Sequence, residues 1–165
     1  MDKKKILDNS QIKRKIKRIS LQIIESNINE KEIILAGVEK NGFLLAKELN
    51  KEINNLSDLN TMVYNIKIDK KNPINSTSIS VDLSSFQSKS IVVIDDVLNS
   101  GSTLMYAVKY FLETDLKQLK TAVLVDRNHK KFPIKADFKG VSLSTSLQNH
   151  VNVVFNEDSI EAFLH

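Results

Sequence analysis

The stretch Ile91-Val92-Val93-Ile94-Asp95-Asp96-Val97-Leu98-Asn99-Ser100-Gly101-Ser102-Thr103 decides the reading of this chain. From Ser90 to Ile94 the residues are almost continuously apolar and β-branched, the pattern of a strand with both faces buried in a parallel sheet. Two carboxylates, Asp95 and Asp96, follow at its end. A polar, hydroxyl-rich turn from Asn99 to Thr103 then opens into Leu104, Ala107, Val108, Phe111 and Leu112, which recur at helical spacing. The unit reads as strand, acidic pair, loop, helix.

Each part has a chemical use. The first N–H groups of a helix lack intrahelical partners and lie at the positive end of its dipole, so a loop there can wrap a phosphate. Ser100, Ser102 and Thr103 add hydroxyl donors, and Gly101 lets the backbone approach closely and take positive φ. Carboxylates cannot bind the phosphate. They suit ribose hydroxyls, a hydrated Mg²⁺ or positive charge developing on a sugar ring. The combination implies a phosphorylated sugar. Each half alone is less specific, because acidic pairs also follow strands in receiver domains and Walker B strands, and Ser/Gly turns are ordinary before helices.

A length of 165 residues predicts one domain, residues 1–165, able to bury roughly 70% of its unfolded surface. Hydrophobic residues at 41% and charged residues at 27% are ordinary for a globular protein and argue against disorder. The sequence holds no apolar run of the roughly 18 residues a membrane span needs, and its first ten residues lack an apolar signal core, so a cytoplasmic protein without a membrane partner is expected. The absence of cysteine excludes disulfides, thiolate catalysis and cysteine zinc sites. A net charge of +4 would suit phosphorylated ligands or RNA. Much of it sits in Lys3 to Lys5 and in Lys13, Arg14, Lys15, Lys17 and Arg18, a run that also reads as a solvated helix face.

Ser10 is the expected cap of an amphipathic helix over residues 10–26, with Ile12, Ile16, Ile19 and Ile23 on its apolar side. Glu32 to Val38 reads as a second buried strand. It leads through Glu39-Lys40-Asn41-Gly42 into a helix carrying Phe43, Leu44, Leu45, Leu49 and Ile53. Asn41-Gly42 is a common turn dipeptide. At the carboxyl end of a parallel strand, though, Lys40 and the amides around Gly42 could hold a second anion. Thr61 to Ile68, Lys120 to Val125 and Val151 to Phe155 are further strands, while Phe132 to Ile134 and Asp137 to Leu143 are short strand or turn elements. The polar stretch from Asp69 to Ser80 is a long loop of the kind that forms lids. Asn156 is the expected cap of a terminal helix from Ser159 to Leu164. Strand and helix alternate, which predicts an α/β fold with a mostly parallel central sheet.

The thirteen residues quoted first resemble the phosphoribosyl pyrophosphate (PRPP) signature of type I phosphoribosyltransferases. Over nearly the whole chain the sequence is similar to the pyrimidine-operon attenuation regulators of the PyrR type, which double as uracil phosphoribosyltransferases. The matching stretches are ILDNSQIKRKIKRIS, ILAGVEKNGFLLAKEL, VVIDDVLNSGSTL and AVLVDRNHKKFPIKADFKGVSLSTS. The last of these separates this branch from the purine and orotate enzymes.

The resemblance implies a type I phosphoribosyltransferase fold, with helices on both faces of the sheet and a small hood. It implies that Asp95 and Asp96 hold the ribose hydroxyls and oppose oxocarbenium-like charge, and that Asn99, Ser100, Gly101, Ser102 and Thr103 hold the 5′-phosphate. Glu39, Lys40, Asn41 and Gly42 would form the pyrophosphate loop, residues 69–80 would close over PRPP, and Val125, Asp126 and Arg127 would lie at the base, in the hood. Mg²⁺ would arrive with PRPP, with no protein metal ligand. A homodimer is implied, and RNA is a possible partner. The implied reaction moves ribosyl-5-phosphate from PRPP to uracil. The alternatives are an RNA-binding regulator that senses uridine nucleotides with little catalysis, or transfer to another nucleobase. The chain departs from the regulators at Lys40-Asn41-Gly42, where they carry Thr-Arg-Gly, and at Asn99-Ser100-Gly101-Ser102-Thr103, where they carry Tyr-Thr-Gly-Arg-Thr. Asp69-Lys70-Lys71 stands in place of an Arg-Asp-Asp cluster. Purine enzymes place an aspartate at position 99; asparagine cannot act as a base there, which favours a pyrimidine.

Overall fold

The computed structural model describes residues 3–144, 146 and 148–165. In chain order the elements are β1 (Lys4–Leu7), α1 (Asn9–Ser26), β2 (Glu32–Val38), α2 (Asn41–Leu56), β3 (Asn60–Ile66), a 3-10 turn (Leu83–Phe86), β4 (Ser90–Leu98), α3 (Ser102–Phe111), β5 (Gln118–Asp126), β6 (Phe138–Ser142), β7 (Val151–Phe155) and β8 (Ile160–Leu164). Five strands form a wholly parallel sheet in the order β3-β2-β4-β5-β6, with β4 in the middle and every one of its residues buried. The remaining three form a small antiparallel sheet, β1-β8-β7.

Because successive side chains of a strand point to opposite faces, β4 supplies both layers of the core. Val92 and Ile94 pack with Ile33, Leu35 and Leu124 against α1 and α2. Ile91 and Val93 pack with Ile34, Ala36 and Val123 against Leu104, Ala107 and Phe111 of α3 and Phe86 of the 3-10 turn. The predicted α/β fold with helices on both faces is thus what forms. Ile12, Ile16, Ile19 and Ile23 of α1 are at most 4% exposed, and each such burial contributes roughly 2 kcal/mol. Phe86 stands edge-on to both Tyr64 and Phe111 at 5.3 Å between ring centres, which closes the second layer under the 69–80 loop.

Four expectations about elements change. The cap of α1 is Asp8, not Ser10: the Gln11 amide donates to Asp8 Oδ1 and the Asp8 amide to Gln11 Oε1, each at 2.8 Å, while the Ser10 hydroxyl accepts from Arg14. Asn41 and Gly42 are not a turn; they begin α2. The acidic pair does not follow β4 but lies within it, since pairing with β5 continues from Asp95↔Val123 to Leu98↔Asp126. The terminal segment is a strand rather than a helix. Ile160 and Ala162 are buried with period two, and the segment pairs with β7 on one side and β1 on the other. A helix this short is costly to nucleate, and two neighbouring strands offer every backbone group a partner. Asn156 accordingly closes the turn between β7 and β8, donating its amide to the Ser159 carbonyl at 2.8 Å.

Candidate active site

At the carboxyl end of β4 the chain encloses a cavity of about 150 Å³, lined by the acidic pair, by Asn99, Ser100, Gly101 and Thr103, by Lys70, and by Val151 of the small sheet. Its floor is the turn before α3. Gly101 adopts φ +87°, and a Cβ there would lie 2.5 Å from Ile134 Cγ2. The missing side chain therefore makes room for Ile134 and for the left-handed backbone, not for the ligand. The turn is braced from outside as well. The Ser100 carbonyl accepts from the amides of Lys131 (2.7 Å) and Phe132 (3.1 Å), and the Ser102 amide donates to the Ser100 hydroxyl at 3.3 Å. The Met105 amide bonds the Gly101 carbonyl at 2.9 Å, so the amides of the helix's first turn lie at the open end of the dipole.

The two carboxylates sit side by side and are nearly buried, Asp95 at 5% and Asp96 at 9% exposure. Burial, and next the charge of Asp96, push the Asp95 carboxyl up to about 8; Lys70, whose Nζ lies 3.9 Å from Asp95 Oδ1, opposes this in part. Asp95 Oδ1 accepts from the Asp96 amide at 3.0 Å. Asp96 Oδ2 accepts from Asn41 Nδ2 at 2.8 Å, and the same nitrogen donates to the Val153 carbonyl of β7 at 2.9 Å. This contact depends on Gly42. A Cβ there would stand 2.6 Å from the Ile94 carbonyl oxygen and 3.2 Å from Asp95 Oδ1, so only glycine lets the start of α2 rest on β4.

The other candidates separate. Glu39 is half-buried and Lys40 exposed, joined by a cis peptide; the Glu39 amide bonds the Ile66 carbonyl at 2.9 Å. Asn41 has its amide turned to Asp96 and the small sheet. Val125 and Asp126 belong to β5 of the central sheet rather than to a hood; Val125 packs in the core, and Asp126 lies 3.5 and 3.6 Å from the amines of Lys130 and Lys139. Arg127, directly after β5 and only 5% exposed, donates to Asn99 Oδ1 at 2.9 Å and to the carbonyls of Ser146 and Asn149. It clamps the turn before α3 to the segment that leads into β7. The hood is the β1-β8-β7 sheet itself. The sequence places Lys70 in the loop expected to close over the site but does not reveal its partner, since one lysine in a polar loop carries no signal of the carboxylate it will meet. Among the described residues no group of three or more His, Cys, Asp or Glu is placed to hold a metal, and no helix is long and apolar enough to cross a membrane.

A five-stranded parallel sheet with a glycine turn before α3 and a buried acidic pair lining one cavity is the arrangement of a phosphoribosyltransferase. Residues 2–159 match the phosphoribosyl transferase domain, and the chain belongs to that family. More particularly, it is 35% identical to the bifunctional protein PyrR of Streptococcus agalactiae, with 88% of this chain and 86% of that one covered. It is 31% identical to the bifunctional protein PyrR of Clostridium botulinum, covering 98% and 96%. Among solved structures it is similar to the hypoxanthine phosphoribosyltransferase of Trypanosoma cruzi (TM-score 0.76, 16% identity, 96% and 95% covered). A hypoxanthine-guanine phosphoribosyltransferase of Bacillus anthracis matches with TM-score 0.73 at 23% identity, covering 85% and 82%. These last two share the fold.

Proposed function

We propose that the chain, acting as one domain, transfers ribosyl-5-phosphate from PRPP to uracil, giving uridine monophosphate and pyrophosphate. The observation that carries this reading is the joining of a monophosphate-sized turn to a buried acidic pair in one cavity, with asparagine rather than a carboxylate at position 99. In this reading the amides and hydroxyls of residues 99–103 hold the 5′-phosphate. Asp95, which keeps its proton at neutral pH, donates to a ribose hydroxyl, and the Asp96 carboxylate faces the positive charge that develops as the bond from the anomeric carbon to pyrophosphate breaks. Uracil N1 forms the new bond as the bond to pyrophosphate breaks, and its proton passes to the departing pyrophosphate. Asn99, held by Arg127, offers no base for a purine N7 proton, which supports a pyrimidine acceptor.

Two adjacent carboxylates, one of them protonated, fit a cation that brings its own ligands better than one that needs a protein cage, so Mg²⁺ is read as entering on PRPP oxygens and waters beside Asp96. Such an ion would supply positive charge to the leaving pyrophosphate. Residues 39–42 and 70 are read as the pyrophosphate side of the site, with Lys40 and Lys70 as the available cations. Exposed Leu112 and Phe132, beside an apolar groove of about 330 Å³ on α3, support a homodimer. Base-dependent release of pyrophosphate from PRPP, compared across uracil, hypoxanthine, guanine, xanthine and orotate, tests the reading; release with hypoxanthine or orotate but not uracil would replace it.

A second reading, RNA binding, draws on the exposed face of α1, where Lys13, Arg14 and Lys17 stand clear of the core. Hairpin RNA binding whose affinity falls with salt, at a log-log slope of about −0.7 to −0.9 per phosphate contacted, would support it.

A further inference from the structure

The Asn41 side chain joins three segments that are far apart in the chain. Its amide nitrogen carries two protons. One is given to Asp96 Oδ2 at 2.8 Å and the other to the Val153 carbonyl at 2.9 Å, across sequence separations of 55 and 112 residues. Both donors are therefore committed, and neither remains for an anion. On one side the bond anchors one oxygen of a carboxylate that lines the cavity. On the other it holds the backbone of β7, whose first residue, Val151, also lines that cavity. Gly42, packed on Ile94 and Asp95, leaves the start of α2 no freedom to shift without disturbing β4. A carboxylate otherwise turns easily about its last torsion, because such torsions have broad, shallow preferences.

We infer that Asn41 is a positioning residue: its carboxamide fixes the Asp96 carboxylate and the hood strand β7 in one relation, so that carboxylate and hood present a single preorganised surface to the sugar. This rests on the phosphoribosyl-transfer reading given above. Asn41 does not touch the reacting atoms in this assignment. It acts through Asp96, and a displacement of the order of 1 Å at such a group costs about 10²-fold in rate. Its two side-chain hydrogen bonds go to Asp96 and Val153 and not to the cradle at residues 99–103, so phosphate affinity should be spared.

The test uses the full chain, with Asn41→Asp as an isosteric variant that turns both donors into acceptors and Asn41→Ala as a second. Fraction folded is measured by circular dichroism, PRPP and uracil kinetics are normalised to folded protein, and uridine monophosphate binding is measured by calorimetry. The expected result is a kcat at least about tenfold lower in both variants, with the Kd for uridine monophosphate, which carries no pyrophosphate, within about threefold of the parent. Faster amide exchange along β7 should accompany it. A kcat within about twofold of the parent in either folded variant overturns the assignment, and so does failure of both to fold, which makes Asn41 a folding residue only. If the parent protein itself releases no pyrophosphate with any base, the transfer reading and this assignment fall together; normal release by the parent with unaltered variants removes this assignment alone.

Discussion

Replacing Asp95 with Asn should make the protein more stable at neutral pH while it disables the site. Asp95 lies within β4 at 5% exposure, beside Asp96, and its carboxyl is pushed from 3.8 up to about 8 by burial and by that neighbour. A carboxyl raised in the folded state keeps its proton after the unfolded chain has lost it. Its contribution to stability is thus fully present below pH 3.8 and is lost progressively as pH rises toward 8. Each pH unit in that window costs about 1.4 kcal/mol, so by pH 7 the loss is on the order of 4 kcal/mol. That loss is already net of Lys70, which lies 3.9 Å away, half in solvent, and opposes the shift only in part. Asparagine has the shape of the protonated form and does not titrate, so the variant should show a flat dependence where the parent declines. Turnover should meanwhile fall by about 10²–10³, the usual loss on removing one preorganised group. Urea unfolding of both proteins at pH 5, 6, 7 and 8, with unchanged m-values, reads the first effect, and steady-state kinetics reads the second. Parallel stability curves, or a parent that becomes more stable from pH 5 to 8, would refute the account of the buried pair.

Three further outcomes are expected. Lys70→Met should move the Asp95 titration further upward, because the lysine is the one charge lowering it, and carboxyl-carbon NMR would contradict this by showing no change or a fall. Gly101→Val should abolish binding of uridine monophosphate and lower the Tm, since a Cβ meets Ile134 at 2.5 Å and φ +87° is closed to a β-branched residue; calorimetry showing full affinity would place the phosphate elsewhere. Arg127→Met strips a donor from Asn99 and from the two carbonyls of the segment before β7, and each buried group left without its partner costs roughly 1–3 kcal/mol. Chemical denaturation should show the stability loss, with a raised Kd for uridine monophosphate as Asn99 loosens; equal stability would mean water replaces the guanidinium at no cost.

The features legible from residue order alone are local. The β-branched run of β4, the glycine at φ +87° and the spacing of Leu104, Ala107 and Phe111 each express the preferences of residues next to one another in the chain. Such preferences act before any tertiary contact forms, which is why the strand, the turn and α3 were legible together with the phosphate chemistry they imply. Asp8 with Gln11 was equally local and could have been read as the cap of α1, had the reciprocal Gln been weighed above the nearer serine. Features that depend on distant partners arise only once the chain has folded. The strand at Ile160–Leu164 exists because β1 and β7 flank it, and the lysine-rich Lys4–Leu7 becomes a strand only through the same pairing. Asp96 meets Asn41, Asp95 meets Lys70, and Arg127 meets Asn99 only after the parallel sheet has brought the carboxyl ends of its strands together. The proton on Asp95 belongs to this second kind. Two adjacent aspartates in a sequence are ordinary acids, and only burial within β4, beside a second carboxylate, pushes the Asp95 carboxyl well above its usual range.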